Sequence, residues 1–439
     1  MNIIQITPGA GKMYCGNCFR DNALVGALQR KGHSTLMLPL YLPLTLDEAD
    51  HTAGQPIFFG GINVYLEQKS EFFRKSPTWL HQLLDSPDLL KWAAGKAAKT
   101  RATDLGDLTL SMIRGEEGNQ ARELEQLIAW LKTQSAPDVI CLSNALLVGL
   151  ARRLKQELGM PVVCSLQGED SFLDALPEPH RARAWETMVE RASEVDLFIA
   201  PSHYFADLMR RRLRLPADRV RVVYNGIDLT DYSPAPALPQ PPVLGYFARM
   251  CREKGLDTLI DAYRELKRRD RVKGLRLRIG GGCGPSDQTL VNELQDRLAA
   301  NGLLNTVEFC PNVDRAGKLA FYRSLTALSV PALYGEAFGL YLIEALASGV
   351  PVIQPRHAAF PELIAATGGG VLCAPGDPLA LADAAEALLL DPAQLRLLSQ
   401  TGRNSVAERF NLDRMTDEIL EAYRSVSARP PVPQPQTTV

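Results

Sequence analysis

Short apolar runs alternate with longer segments in which apolar positions recur every three to four residues. The short runs predict strands buried on both faces, and the recurring positions predict amphipathic helices. This alternation is typical of parallel sheets covered on both sides, so the predicted fold class is α/β. The predicted strands are residues 3–7, 35–39, 139–143, 162–166, 197–201 and 220–224, then 243–248, 275–280, 307–310, 327–331, 350–354 and 371–374. The main predicted helices are residues 17–31, 120–134, 145–157, 182–193, 392–410 and 412–426.

A turn-rich segment separates the two halves of the chain. Residues 225–242 hold five of the 30 prolines, and such a cluster between periodic segments is typical of a linker. A chain of 439 residues is also longer than a single hydrophobic core usually supports. We therefore predict a first domain, a second domain, a closing helix and a disordered tail, at residues 1–235, 240–411, 412–427 and 428–439.

Residues 66–119 of the first domain depart from the alternation and are predicted to form an insertion. This segment contains two Phe and two Trp, and between residues 69 and 101 seven Lys or Arg face three acids. Aromatic and basic residues together favour an element at a membrane surface or on the acceptor side of the domain. An insertion that packs on its own aromatic side chains is an equal alternative.

Composition and charge exclude several classes of protein. The hydrophobic content of 46% and the charged content of 22% are those of a soluble globular protein. The net charge of −2 provides no general attraction for nucleic acid. No run reaches the roughly 18–20 apolar residues that a spanning helix needs, and the first residues lack the features of a signal peptide, so none is expected.

The cysteines are used as they are in a reducing compartment. Four of the eight, Cys141, Cys164, Cys310 and Cys373, lie within or at the end of predicted buried strands, where a free thiol acts as a small hydrophobe. We therefore predict a cytoplasmic protein. A C-x-x-C pair near the N-terminus has no second pair at metal-ligand spacing, so no metal site is predicted.

Two acids stand around the start of a short predicted helix in the second domain. Glu336 lies in the loop before the helix and Glu344 about two turns along it, with seven residues between them. Gly339 allows a close backbone approach at the helix start, and Gly349 is expected to cap its end. Free N–H groups and the partial positive charge of a helix N-terminus favour a phosphate. An ordinary α/β helix that carries two acids remains an alternative at this point.

Two basic residues follow the first predicted strand of the second domain. The strand at 243–248 ends at Arg249, and Lys254 precedes a helix that begins near residue 255. Open α/β sheets bind ligands at the carboxyl ends of their strands, and fixed cations there stabilise the negative charge of a leaving pyrophosphate. Taken alone, each residue is equally compatible with an ordinary surface side chain.

The order and spacing of Arg249, Lys254, Glu336 and Glu344 resemble the pattern of the family-4 retaining glycosyltransferases. That family has the GT-B architecture of two facing Rossmann-like domains and a C-terminal crossover helix. The resemblance implies that Arg249 and Lys254 hold the diphosphate of a nucleotide sugar. It further implies that Glu344 accepts hydrogen bonds from both ribose hydroxyls, while Glu336 contacts a sugar hydroxyl. Backbone N–H groups would meet the sugar and the distal phosphate, namely those of Phe338, Gly339 and Leu340.

The first domain is expected to supply the opposing wall of the site. By the same resemblance, the loop that ends at Gly16 and Asn17 corresponds to a Gly-Gly loop that contacts phosphate or sugar. Gln167 stands where the family usually has His near the transferred sugar, and an amide hydrogen-bonds a hydroxyl without acting as acid or base near neutral pH. Glu169 and Asp170 are candidates for acceptor contacts, or else form an acidic loop without such a role.

Three loops differ from familiar patterns. Cys15 stands where the first glycine of the Gly-Gly loop usually does. Residues 358–360, Ala-Ala-Phe, replace a Gly-Gly pair before a Pro-Glu pair that is kept, which leaves the fit of that loop open. The Gly-rich segment 280–287 lacks a clean dinucleotide fingerprint because Pro285 takes the third glycine position, and we interpret it as a turn near the nucleotide.

These patterns predict a retaining glycosyltransferase that moves a hexose from a nucleotide-diphosphate sugar to an acceptor hydroxyl in the cleft between the domains. No metal cofactor is expected, because Arg249 and Lys254 supply the neutralising charge. The expected partners are the donor and a carbohydrate, lipid-linked or small-molecule acceptor, not nucleic acid, and peripheral contact with the inner membrane face is left open. A nucleotide-sugar epimerase, a phosphorylase and a non-catalytic nucleotide-sugar-binding protein share the architecture and remain alternatives.

Overall fold

The computed structural model describes residues 1–9, 16–44, 50–52, 54–59 and 102–427. Most of the predicted insertion and the whole predicted tail lie outside these residues. The chain divides into two compact units. Unit 1 consists of Met1–Pro201, Ala206–Val223 and Met415–Val439, and unit 2 of Ser202–Phe205 and Tyr224–Arg414.

Unit 1 is built on a parallel sheet of six strands: β1 (Asn2–Thr7), β2 (Ser34–Pro39), β3 (Val139–Leu142), β4 (Val162–Ser165), β5 (Leu197–Ala200) and β6 (Val220–Val222). Their order is β2-β1-β3-β4-β5-β6. β3, β4 and β5 are buried along their whole length, as expected of central strands covered on both faces. The described helices that lie between β1 and β6 in the chain are α1 (Gly16–Arg30), α2 (Ala102–Arg114), α3 (Ala121–Leu131), α4 (Ala151–Leu158), α5 (Glu169–Asp174), α6 (His180–Ala192) and α7 (His203–Arg212).

Unit 2 contains a second parallel sheet of six strands: β7 (Val243–Phe247), β8 (Arg276–Gly281), β9 (Val307–Pro311), β10 (Ala327–Leu328), β11 (Val352–Pro355) and β12 (Gly370–Cys373). Their order is β12-β11-β10-β7-β8-β9. The helices are α8 (Leu256–Arg269), α9 (Gln288–Ala300), α10 (Arg315–Arg323), α11 (Leu340–Ala347), α12 (Phe360–Thr367), α13 (Pro378–Leu389) and α14 (Pro392–Arg409).

The proline-rich segment 225–242 belongs to unit 2, because Tyr232 is buried in the core of that unit. The last helix, α15 (Leu412–Ser427), is counted with unit 1 from Met415 onwards. Within unit 1 it forms ion pairs of 2.8 Å between Asp417 and Lys31 and between Glu421 and Arg221. Among the described residues, no helix has both the length and the apolar character needed to cross a bilayer.

All twelve predicted strands are present. The largest difference is at β10, which was expected to reach Pro331 but ends at Leu328. β9 is an edge strand, so Cys310, predicted to be buried, is partly exposed. The helix predicted at 145–157 is a 3-10 segment, Ala145–Leu150, followed by α4.

Each sheet has a topological switch point, beyond which successive strands are added on the opposite side of the first strand. In unit 2 the chain runs from β7 through β8 to β9 on one side, then returns to β10 on the other side of β7. In unit 1 the same change occurs between β1 and β3. Ligands of open α/β sheets bind outside the carboxyl ends of the strands at such a point. Side chains that follow β7 and β10 are therefore the first to consider in unit 2.

Candidate functional site

The two predicted cations follow β7, one of the two strands at the topological switch point. Arg249 comes two residues after the strand, and a 3-10 turn, Arg252–Lys254, leads from there into α8. The Tyr246 hydroxyl donates a hydrogen bond of 2.7 Å to the carbonyl oxygen of Arg249 and so holds the backbone at this position. Both basic residues thus lie at the edge of the sheet where a ligand is expected.

The guanidinium of Arg249 is held by Asp287, the residue just before α9. Nε lies 3.1 and 3.0 Å from the two carboxylate oxygens, and Nη2 lies 2.8 Å from Oδ1. The Asp287 side chain is only 7% exposed, whereas that of Arg249 is 60% exposed. Hydrogen bonding to Asp287 raises the pKa of Arg249, so the guanidinium stays charged.

Lys254 and Glu336 form an ion pair that joins the loop after β7 to the loop after β10. Lys254 Nζ lies 2.5 Å from Glu336 Oε2, and the two side chains are 20% and 12% exposed. The hydroxyls of Tyr334 and Tyr341 donate to the same oxygen at 3.2 and 3.0 Å. Three donors therefore converge on Oε2, while Oε1 of Glu336 has no hydrogen-bond partner in the part of the chain that the structure describes.

The two tyrosines also contact the cation of this pair. Lys254 Nζ lies 4.9 Å from the ring centroid of Tyr334 and 5.5 Å from that of Tyr341, within the range of cation–π attraction. Burial, together with the charge of Glu336, raises the pKa of both tyrosines, so both hydroxyls remain protonated donors. The arrangement holds a carboxylate and an ammonium group side by side near the N-terminus of α11.

Glu344 lies in α11, but closer to its start than the sequence predicted. The helix begins at Leu340, so Glu344 stands about one turn along it and not two. The reason is Gly339, whose left-handed φ of +93° ends the preceding loop and delays the start of the helix. At the other end Gly349 has a φ of +73°, which confirms the predicted glycine cap.

The Glu344 carboxylate accepts three hydrogen bonds from side chains that the sequence did not single out. Lys318 Nζ and the Tyr232 hydroxyl lie 3.0 and 3.2 Å from Oε1, and the Tyr322 hydroxyl lies 2.8 Å from Oε2. Burial opposes ionisation, but the charge of Lys318 and the three hydrogen bonds outweigh it and lower the pKa of Glu344. Glu344 is therefore a charged acceptor held in a fixed orientation.

The start of α11 has the features of an anion-binding N-terminus. No side chain among the described residues caps its first turn, and Gly339 is the residue that precedes it. The Phe338 side chain is buried and lies 6.4 and 6.2 Å, between ring centroids, from Tyr224 and Phe410. Phe338, Gly339 and Leu340 thus offer only their backbone N–H groups, since the aromatic ring belongs to the core.

The loop after β11, where the sequence departs from the family pattern, is tight despite its missing glycines. Ala358 has a left-handed φ of +54°, a conformation that favours glycine. The N–H of Ala359 donates to the carbonyl oxygen of Glu336 at 3.3 Å, so this loop lies against the loop that leads into α11. One residue of this loop, Ala358, therefore has a backbone conformation that glycine adopts more readily.

In unit 1, Gln167 is part of a polar cluster at the carboxyl ends of the strands. Its Nε2 donates to the carbonyl oxygen of Ser143 at 2.7 Å and lies 3.5 Å from Asp21 Oδ1. Asp21 is fully buried, accepts a hydrogen bond from the Ser143 hydroxyl and pairs with Arg20 at 2.9 Å. Burial raises the pKa of Asp21 in spite of the Arg20 charge. The contacts of the Gln167 amide nitrogen leave its oxygen as the group available to a ligand hydroxyl.

The two acids predicted to contact an acceptor are both buried. Glu169 Oε1 and Oε2 accept hydrogen bonds from the backbone N–H groups of Ala145 and Gln167 at 2.7 and 2.9 Å. Burial raises the pKa of Glu169 to about 7 and also raises that of Asp170. Glu169 therefore ties together the loops that follow β3 and β4, a role that the sequence did not indicate.

Gly16 and Asn17 begin α1, as predicted, and lie at the described edge of the loop that follows β1. Residues 10–15, which include Cys15, lie outside the described residues. Sequence reasoning missed Lys318, Tyr322 and Asp287. Lys318 and Tyr322 are spaced i, i+4 and so share a face of α10, but their proximity to a helix 22 to 26 residues later is visible only in the fold.

Two family models match the chain. Residues 107–231 match Glycosyltransferase Family 4, and residues 231–405 match Glycosyl transferases group 1. Together the two glycosyltransferase models span residues 107–405 of this chain. These matches confirm the resemblance to glycosyltransferases predicted from Arg249, Lys254, Glu336 and Glu344, and all four residues lie in the part of the chain that matches group 1.

The named relatives align with this chain over only part of their own length. A D-inositol 3-phosphate glycosyltransferase of Saccharomonospora viridis is 30% identical over 265 residues, which cover 57% of this chain and 60% of that protein. A phosphatidyl-myo-inositol mannosyltransferase of Mycobacterium leprae is 32% identical over 233 residues, covering 51% and 58%. The chain thus spans about three fifths of the length of these curated relatives.

Solved structures match over nearly the whole chain. Sucrose-phosphate synthase from Thermosynechococcus elongatus has a TM-score of 0.70 at 18% identity, covering 98% of this chain and 100% of its own. HepE of Anabaena has a TM-score of 0.67 at 18% identity, covering 97% and 100%. At this identity the likeness concerns the fold, and it confirms the predicted GT-B type with its two parallel six-stranded sheets.

Proposed function

We propose that this protein transfers a hexose from a nucleotide-diphosphate sugar to an acceptor hydroxyl, and that unit 2 binds the donor. The observation that carries the proposal is the Lys254–Glu336 ion pair of 2.5 Å at the start of α11. It combines a cation for the diphosphate with an acid for the sugar beside a helix N-terminus. An epimerase, a phosphorylase or a non-catalytic binding protein is not favoured by any separate feature of the site.

The roles follow from the charges and the free atoms. Arg249 and Lys254 neutralise the negative charge that develops on the diphosphate as its bond to the sugar breaks. Glu336 Oε1, which has no partner among the described residues, accepts a hydrogen bond from a sugar hydroxyl. Glu344, ionised and held by Lys318, accepts hydrogen bonds from the ribose diol.

The reaction proceeds with retention at the anomeric carbon. The bond between that carbon and the diphosphate oxygen breaks, and a bond to the acceptor oxygen forms on the same face. The proton of the acceptor hydroxyl passes to the departing diphosphate. This route needs no protein base, which agrees with an amide at Gln167, whose oxygen is free to orient a hydroxyl.

Metal independence is part of the proposal because two protein cations already stand where a metal would act. HepE of Anabaena was solved with UDP and with UDP-glucose, which makes uridine diphosphate sugars the first donors to try. The inositol-based acceptors in the names of the relatives, and the glycogen synthase of Mycobacterium tuberculosis at 26% identity, define an acceptor panel. A reducing, cytoplasmic location fits the buried free thiols Cys141 and Cys164.

A thermal-shift panel of UDP, GDP, ADP and their sugars tests donor binding directly. A ligand that binds only the folded state raises the melting temperature, so one nucleotide and its sugar should raise it for the wild type. Glu344→Ala should lose the shift relative to its own ligand-free melting point. A panel in which no nucleotide shifts the wild type would contradict the proposal.

The reaction itself is tested with the donor so identified. The first product formed should have the same anomeric configuration as the donor, which proton NMR measures. Activity should persist in EDTA. Inversion would refute retention, and loss of turnover that Mg²⁺ or Mn²⁺ restores would refute metal independence. Conversion of the donor sugar without any acceptor would instead identify an epimerase.

A further inference from the structure

Asp287 joins one predicted cation to the Gly-rich loop that follows β8. Its carboxylate lies 2.8 to 3.1 Å from Nε and Nη2 of Arg249. The same carboxylate accepts a hydrogen bond from the backbone N–H of Gly284 at 3.0 Å. Since the Asp287 side chain is 7% exposed and that of Arg249 60% exposed, a buried acid anchors a solvent-facing cation.

The loop that carries Asp287 is itself fixed. The N–H of Met250, in the loop after β7, donates to the carbonyl oxygen of Gly282 at 2.8 Å. Asn312, after β9, accepts a hydrogen bond from the Cys283 N–H and donates one to the Cys283 carbonyl oxygen, both at 2.9 Å. Loops after three adjacent strands are therefore tied together around Asp287, which makes it a rigid point of attachment.

Attachment through one edge leaves the rest of the guanidinium available. A guanidinium has five N–H donors in a planar fork, and Asp287 occupies the edge formed by Nε and Nη2. Nη1 of Arg249 has no hydrogen-bond partner among the described residues. A long side chain that is already ordered loses less rotamer freedom when a ligand arrives, so its contribution to binding is larger.

We propose that Asp287 is a positioning residue that holds Arg249 with its Nη1 edge ready for the diphosphate. The inference deepens the proposed function and depends on it. A competing account, in which Asp287 merely occupies the guanidinium and repels phosphate, has the opposite sign. It requires that neutralising Asp287 tighten diphosphate binding.

Isothermal titration separates these accounts. UDP, GDP, ADP and the matching nucleosides are titrated into the full-length wild type and Asp287→Asn. For the diphosphate that the wild type binds, the affinity of Asp287→Asn should fall about tenfold, because a charge-assisted contact that orients the cation is lost. Affinity for the matching nucleoside should stay within about twofold. Unchanged or tighter diphosphate binding would overturn the positioning role.

A double-mutant cycle with Arg249→Ala distinguishes positioning from a structural role. If Asp287 acts through Arg249, then Asp287→Asn should have no further effect on diphosphate affinity in the Arg249→Ala background. A loop that is simply damaged would weaken nucleoside and diphosphate alike, and would do so in both backgrounds. Asp257→Asn is a matched control, since Asp257 pairs with Arg252 in the neighbouring turn at 3.4 Å and should leave both affinities unchanged.

Arg249→Lys keeps the test decisive if Asp287→Asn does not fold. This exposed substitution preserves the charge but removes the forked edge that Asp287 holds, so diphosphate affinity should again fall about tenfold. Wild-type affinity in Arg249→Lys would overturn the proposal. If the wild type bound none of the nucleotides, the proposed function would fail and this inference with it, whereas normal wild-type binding with an unaffected Asp287→Asn would remove the positioning role alone.

Discussion

The acids of the two units are buried in opposite electrostatic surroundings. In unit 2, Lys318 and hydrogen-bond donors lower the pKa of Glu344 despite its burial, and Glu336 forms an ion pair with Lys254. In unit 1, Glu169 is more deeply buried, and its pKa is raised to about 7. Glu344 and Glu336 each have a cation within hydrogen-bond distance, whereas Glu169 has none among the described residues.

This contrast separates Glu344, which we propose binds the donor, from Glu169, whose carboxylate holds two loops of unit 1 together. Glu344 is kept ionised by a nearby ammonium, so it can accept hydrogen bonds from a ligand over the whole physiological pH range. Glu169 is contacted by the backbone N–H groups of Ala145 and Gln167, which hold the carboxylate but do not compensate for its desolvation. Its burial therefore makes unit 1 sensitive to pH near neutrality, and four predictions test this comparison.

Glu344→Gln should have the largest effect on stability. The substitution removes the carboxylate that Lys318 contacts at 3.0 Å in a largely buried pair, and breaking such a pair costs about 3 kcal/mol or more. Urea unfolding measures the loss. Glu265→Gln, on an acid that pairs with Arg268 and Arg269 at the surface of α8, should cost far less, because solvent screens exposed ion pairs.

The double variant Glu344→Gln/Lys318→Met sharpens this result. It removes the buried charge as well as its partner, so it should recover part of the lost stability. If Glu344→Gln were as stable as the wild type, the ion pair with Lys318 would not offset the desolvation of the Glu344 carboxylate. The comparison between the units would then fail.

Lys254→Ala should have the next largest effect, on rate. Loss of a preorganised group that stabilises developing charge costs about 10²-fold or more in turnover, or roughly 2.7 kcal/mol. Initial rates with the identified donor measure it. Arg252→Ala, two residues earlier and exposed, pairs with Asp257 and Glu293 and should keep near-normal turnover. Equal losses in both variants would indicate that turnover depends on the total positive charge of this loop and not on the Lys254–Glu336 pair.

Glu169→Gln should change the pH dependence of stability. The pKa of Glu169 is raised from 4.5 to about 7, so the folded state binds the proton more tightly than the unfolded state does. This contribution is fully present below about pH 4.5 and is lost as the pH rises towards and through 7. From pH 5 to pH 8 the wild type should therefore lose about 2 kcal/mol that Glu169→Gln does not lose. Parallel pH profiles from urea unfolding would disprove the shift.

Ala358→Gly should have the smallest effect and should concern stability alone. The left-handed φ of +54° at Ala358 costs an alanine about 1 kcal/mol relative to a glycine, offset in part by the greater freedom of glycine in the unfolded chain. Thermal unfolding should give a gain of up to about 1 kcal/mol. Turnover should be unchanged if side-chain pairs and not backbone strain hold the site of unit 2, and a large change in rate would contradict that view.

Much of the fold was predictable because its signals are local. Apolar runs predicted the twelve strands, and the end of α11 was predicted from Gly349, which lies two residues beyond the helix and has a positive φ. One of the errors also has a local cause, because Gly339 delays the start of α11. Where a single residue controls the backbone, the pattern came within a few residues of the observed element.

The site was predictable in its members but not in its pairings. Motif spacing identified Arg249, Lys254, Glu336 and Glu344, but nothing in the spacing indicated that Lys254 pairs with Glu336 across 82 residues. Nor did it indicate that Lys318 lies beside Glu344. Asp287 ends the Gly-rich segment that was interpreted as a turn near the nucleotide, but nothing in the sequence indicated that it contacts Arg249.

The sequence alone determined the succession of strands and helices, the two sheets that they form and the residue types at the ends of β7 and α11. Those features depend on steric limits and on the period of apolar residues, which act between near neighbours. Only the tertiary structure decided which acids lie beside a cation. Desolvation and Coulomb energy depend on distances between side chains far apart in sequence, so the ionised Glu344 and the pH-sensitive Glu169 could be told apart only once the chain was folded.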